Sequence, residues 1–212
     1  MRTKATLVAL SLLAVAATAR AEEGAPTAVA ESGPTAQTHR RLQVGASFLP
    51  MAMGKYKFSD TFDTTTTQEA YLGYGVGLSV GYDVWRGLIV GLAPQLIFNV
   101  QPKPNDIANP NPMRELDLMA RVAYQLRLVD TISVYAEALP GYSVLLPSDE
   151  AGKSKGLVLG FGAGVVVDMT DRVFLNVGGG YQIGFQTLLA GIHETELRTR
   201  YVRVAIGGGV KF

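Results

Sequence analysis

The chain has 212 residues, of which 48% are hydrophobic and 17% charged, with a formal net charge of +1. So even a balance offers no electrostatic footprint for nucleic acid and no polybasic patch for a membrane surface. Cysteine is absent, which excludes disulfide staples and thiolate metal sites.

Residues 1–21 (MRTKATLVALSLLAVAATARA) read as a cleaved signal peptide. Arg2 and Lys4 form a positive start, Ala5 to Ala17 an apolar centre, and Ala19-Arg20-Ala21 an A-x-A cleavage site. The apolar run is shorter than the roughly 18 residues of a membrane-anchoring helix. Cleavage would remove three of the 19 basic residues and none of the 18 acidic ones, leaving 16 against 18 and a net charge of −2. The protein is therefore expected to be exported. Residues 22–40 are rich in Ala, Pro, Gly, Thr and Glu without apolar periodicity, and read as a flexible periplasmic leader.

From Arg41 onward the chain alternates apolar and small or polar residues, the pattern of β-strands. The first segment, Arg41–Leu49, sets Leu42, Val44, Ala46 and Phe48 against Gln43, Gly45 and Ser47. The second, Ala70–Tyr82, sets Tyr74, Val76, Leu78, Val80 and Tyr82 against Gly73, Gly75, Gly77, Ser79 and Gly81. Six more follow: Leu88–Phe98, Arg114–Leu128, Ile132–Ser143, Leu157–Met169, Val173–Gln186 and a last one ending at Phe212. Ile89 and Ile97 break the alternation of the third.

The connections alternate between short and long. DVWRG, VDT and TDR are tight turns, whereas KYKFSDTFDTTTTQE, NVQPKPNDIANPNP, LPSDEAGKSK and TLLAGIHETE read as long polar loops. That asymmetry belongs to an even-numbered up-and-down barrel with its turns in the periplasm and its loops outside. The glycine-rich faces could not solvate the exterior of a soluble barrel, so the apolar faces are expected to meet lipid. Several segments exceed the usual 5–6 residues and reach the roughly 9–11 that cross a bilayer at a tilt. Tyr74, Phe98, Tyr142 and Phe185 near the loops, with Tyr82, Trp85 and Phe212 near the turns, suit two interfacial girdles.

The last run, RVAIGGGVKF, places Val204, Ile206 and Val210 on one parity with the terminal Phe212. This resembles the C-terminal signature of bacterial outer-membrane barrels. The resemblance covers residues 41–212 and is to small eight-stranded barrels of the OmpA-transmembrane, OmpX and OmpW kind. It implies an all-β, eight-stranded antiparallel up-and-down transmembrane β-barrel in the cell outer membrane of a Gram-negative bacterium. It also implies that Phe212 is read by the barrel-assembly machinery.

A barrel of eight strands is narrow enough for side chains to fill. The inward parity carries Glu115, Asp117, Arg121 and Arg127 on the fourth strand, Glu137 on the fifth, and Arg203 and Lys211 on the last. Buried charges must be paired, so these predict a charge network that plugs the lumen. Arg121 with Glu137 is the first candidate pair for a gate if the lumen conducts. Arg114, Arg198 and Arg200 share the outward parity at the loop end and are candidate contacts for lipopolysaccharide phosphates, which suit the guanidinium fork.

No catalytic, metal or cofactor site is indicated. The sequence His193-Glu194-Thr195-Glu196 invites comparison with the His, Ser and Glu of small-barrel lipid A deacylases, but has Thr in place of Ser and falls in a predicted loop. His39 falls in the leader. The glycines at 160, 162 and 164 precede no helix and so lack a dinucleotide-binding context. Asp60 and Asp63 lack calcium-loop spacing. Three functions follow: a non-enzymatic barrel presenting loops for envelope integrity or interaction, a narrow channel for small ionic or hydrophobic solutes, and, least supported, a lipid A-modifying enzyme.

Overall fold

The computed structural model describes residues 41–59, 65–69, 73–100, 113–146, 154–190 and 193–212. Residues 1–40, read above as signal peptide and leader and including His39, lie outside the described residues, as do Asp60 and Asp63. Strands run in chain order as β1 Leu42–Ser59, β2 Thr65–Glu69, β3 Gly73–Trp85, β4 Leu88–Leu92, β5 Gln95–Val100 and β6 Met113–Val129. They continue as β7 Ile132–Leu146, β8 Ser154–Asp168, β9 Val173–Ala190 and β10 His193–Lys211.

These ten segments make eight barrel strands. β2 and β3 both pair with β1 in one register, and β4 and β5 both lie between β3 and β6. The break between β4 and β5 falls at Ala93–Pro94, because proline has no N–H to give the ladder. Its carbonyl still accepts from Leu78 N at 2.9 Å, and Ala93 N donates to Met119 O at 2.8 Å. Every pairing is antiparallel, and β10 closes the ring on β1. Phe212 N donates to Leu42 O at 2.8 Å at that seam. Closure leaves no strand edge to be desolvated in lipid.

The three tight turns have local causes. Arg86 and Gly87 both take positive φ, 43° and 92°, the combination a two-residue type I′ hairpin requires. Gly87 N also donates to the Asp83 carboxylate at 3.1 Å. Asp130 and Thr131 join β6 to β7. Between β8 and β9, Thr170 Oγ accepts from Arg172 N at 3.2 Å and Val173 N at 3.0 Å.

The outward faces are apolar throughout the middle of the wall. In β3 alone Tyr74, Val76, Leu78, Val80 and Tyr82 are exposed, while Gly75, Gly77 and Gly81 are buried. An exposed apolar belt on this scale far exceeds the patches of soluble monomers. Tyr74 and Phe98 stack at 5.5 Å between centroids in the upper girdle. Inward, the alternation is richer than the sequence pattern implied. Ile89 and Ile97, the two exceptions, point into the lumen and are buried.

Two of the expected long loops are largely strand. β9 and β10 stay paired as far as Ala190 opposite His193, so residues 187–190 and 193–196 of the expected loop are paired strand. His193 therefore opens β10 and does not sit in a loop. β1 likewise runs on to Ser59, paired with β2 on one side and β10 on the other. Thr65, Thr66 and Thr67 suit the strand that pairs with β1, and polarity alone does not make a loop.

Candidate functional site

The interior is stratified along β6, whose inward residues run Glu115, Asp117, Met119, Arg121 from the loop end downward. Glu115 and Asp117 are wholly buried. Neutral groups supply the described hydrogen bonds to both. Ser143 Oγ donates to Glu115 Oε1 at 2.7 Å, Gln186 Nε2 to the same oxygen at 3.0 Å, and Tyr201 OH to Oε2 at 3.1 Å. Gln95 and Gln182 donate to Asp117 Oδ2 at 2.6 and 2.7 Å. β5, β7, β9 and β10 thus all converge on two carboxylates of β6, which cross-links the lumen from most of its walls.

Apolar residues close the space on either side of this polar layer. Met51, Ile97, Leu145, Leu197 and Tyr201 form one buried cluster, and Met119, Leu139 and Val158 another. Farther down, Glu137 lies between two guanidiniums. Arg121 Nε donates to Glu137 Oε2 at 3.0 Å and Arg203 donates to Oε1 at 2.9 Å. Arg121 also stands 5.9 Å from the centre of the Tyr135 ring. Glycines make room for these groups. A Cβ on Gly162 would stand 3.3 Å from Glu137 Oε1, and one on Gly180 3.2 Å from Arg203 Nε. Near the turn end Lys211 Nζ meets Asp168 Oδ1 at 2.6 Å, beside the Tyr135, Val166 and Phe174 cluster.

The predicted single charge network is therefore two layers across the bore and a separate Lys211–Asp168 pair near the turn end. Gln95 joins the two layers: its amide nitrogen reaches Asp117, and its oxygen accepts from Arg203 at 3.5 Å. Arg127 is not in either layer. It stands exposed at the turn end of β6, where the bore opens to solvent and a long cation stays hydrated. Gln182 and Gln186 share the inward parity of β9, and their amides, uncharged, act as donors to the two carboxylates.

The three outward arginines do not form one group. Arg114 is exposed on β6, opposite Leu146 of β7. Arg198 and Arg200 are exposed on β10, three strands beyond β7 in the ring. Their neighbours are Lys57 and Lys55 of β1, each directly across the ladder.

A sealed ring with a lipid-facing apolar belt is the architecture of one class of bacterial protein, and the family comparison agrees. Residues 5–207 match the model of the outer membrane protein beta-barrel domain. The chain belongs to that family. Solved members of the fold include OprG from Pseudomonas aeruginosa, at 13% identity over 83% of this chain and 98% of that one, with a TM-score of 0.59. Neisserial surface protein A aligns at 17% identity over 81% and 97% with a TM-score of 0.53. AlkL, determined in lipid bilayers, aligns at 11% over 89% and 98% with a TM-score of 0.52. A sequence search of curated proteins gives no match. The family places this chain in the cell outer membrane, with its apolar belt in lipid.

Proposed function

We propose that the protein is a non-enzymatic outer-membrane barrel whose lumen is plugged by its own side chains and whose extracellular arms and loops serve envelope integrity or interaction. The observation that carries this reading is the pair of bonded layers across the bore. The Glu115–Asp117 layer ties β6 to β5, β7, β9 and β10, and the Arg121–Glu137–Arg203 triad ties β6 to β7 and β10. Each layer spans a lumen that eight strands leave only wide enough for side chains. The C-terminal strand, ending at Phe212, serves as the signal for the assembly machinery. Planar-bilayer recording of the purified full chain tests the plug. Negligible conductance is expected, and steady ohmic channels would overturn it.

A second reading, a narrow channel for small ionic or hydrophobic solutes, is favoured by one feature. A cavity of about 60 Å³ lies against the triad, bordered by Ser47, Gln95, Arg121, Glu137, Asn176 and Arg203. It has room for a few waters. Here the Arg121–Glu137 pair is the gate, and Arg121→Ala should turn a silent barrel into a conducting one. A variant as silent as the parent disposes of the gate.

A further inference from the structure

The outer wall carries a feature that the plug does not need. Between Ala52 and Lys55 the β1–β10 register shifts by one residue, a bulge. Before it the even-numbered residues of β1 face outward; beyond it Lys55 and Lys57 are the exposed ones and Gly54 is buried. Bulges re-aim side chains in this way. The result is that Lys55 stands opposite Arg200 and Lys57 opposite Arg198, all four outward and exposed. Two successive like-charge pairs facing each other across a ladder repel, and such pairs are unfavourable unless an anion lies between them.

The surroundings define the height and shape of the site. Arg198 is held with its guanidinium carbon 5.1 Å from the centre of the Phe185 ring, a girdle aromatic of β9. Directly below on β10 come the lipid-facing Val202, Val204 and Ile206. A groove of about 320 Å³ opens here, lined by Lys57, Ser59, Phe185, Thr187, Glu196 and Arg198. Two acids are adjacent. Glu196 is one row above, opposite Ser59, and Glu69 of β2 is opposite Lys55. Four cations against two carboxylates still leave an excess of two positive charges.

We propose that this β1–β10 face binds a phosphate of an outer-leaflet glycolipid, with Arg198 and Lys57 as the central pair and Lys55 and Arg200 beside them. The lipid source follows from position. The cations sit at the boundary between the apolar belt and the extracellular arms, where the headgroup phosphates of an anchored lipid lie while its chains run down over Val202 and Val204. The inference depends on the outer-membrane setting and is independent of whether the lumen conducts.

The test uses the full chain in phosphatidylcholine nanodiscs doped with bisphosphorylated lipid A or with lipid A stripped of both phosphates, read by native mass spectrometry. The unmodified protein should retain the phosphorylated form about tenfold better, as expected for one charge-assisted contact. The Lys57→Gln/Arg198→Gln variant should lose that preference, and Arg114→Gln on the other wall should keep it. Equal retention of both lipids by the unmodified protein overturns the proposal without any variant, so a folding failure in the double substitution does not shield it. Loss of preference in Arg114→Gln to the same degree also overturns it. So does full displacement of the lipid by millimolar inorganic phosphate, which would mark a site for a water-borne anion.

Discussion

Gln95 of β5 faces Asp117 of β6 across the ladder, and its amide nitrogen donates to the carboxylate at 2.6 Å. The same side chain accepts from Arg203. One neutral residue therefore couples the carboxylate layer to the guanidinium layer, and the interior is a connected polar core instead of two separate plugs.

Replacing Gln95 by Leu removes that coupling. Asp117 Oδ2 keeps Gln182 and loses a donor in a wholly buried setting. The expected cost is about 1–3 kcal/mol. Urea titration of the refolded barrel, followed by the heat-modifiable shift in gel mobility, should show a lower midpoint with folding otherwise intact.

The triad makes an asymmetric prediction. Glu137 serves two arginines, so Glu137→Ala strands two nearly buried cations and should cost about 3–5 kcal/mol. Arg121→Ala leaves Glu137 still paired with Arg203 at 2.9 Å and should cost clearly less. If the two variants unfold at the same urea concentration, the triad does not act as drawn.

Adjacent glycines should behave oppositely. A methyl on Gly180 meets the Phe161 carbonyl oxygen and comes within 3.2 Å of Arg203 Nε, whereas one on Gly179 finds nothing nearer than the Arg203 carbonyl at 4.0 Å. Gly180→Ala should destabilise by about 1–3 kcal/mol through overpacking. Gly179→Ala, outward and in open space, should be neutral or slightly stabilising because alanine restricts the unfolded chain. The pair of melting curves decides it.

Substitution of Phe212 should separate assembly from stability. Its side chain is 65% exposed and its backbone closes the seam with Leu42. Phe212→Ala keeps that backbone bond, so refolding in detergent should give a barrel with a near-parental urea midpoint. In cells the folded fraction recovered from the outer membrane should fall severalfold. Equal recovery of parent and variant would remove Phe212 from the assembly signal.

The barrel was legible because alternation with a period of two reports directly on which face a residue takes. Leu78 and Gly77 could be assigned to lipid and lumen from their spacing alone. That logic also put Glu115, Asp117, Arg121, Glu137 and Arg203 inside. It failed where the backbone departs from the ideal pleat. The bulge after Ala52 turns Lys55 and Lys57 to the outer face, and its one sequence sign, Gly54, is lost among the many glycines that line the lumen. For Arg114, Arg198 and Arg200, parity gives the face and the height, while position around the ring comes only from strand order. Arg127 shares the inward parity but lies beyond the end of the packed bore. The amides Gln95, Gln182 and Gln186 were visible, yet only three-dimensional convergence makes them the partners of two carboxylates.

The β9–β10 arm has a consequence for encounters at the cell surface. Strands of 18 and 19 residues are well beyond the roughly 9–11 needed to cross the bilayer, and their ladder persists to Ala190 opposite His193. What protrudes there is a hydrogen-bonded ribbon, its shape settled before anything touches it. A partner landing on that ribbon has little chain to immobilise, so recognition there is governed by the side chains the ribbon displays and not by the cost of ordering a loop.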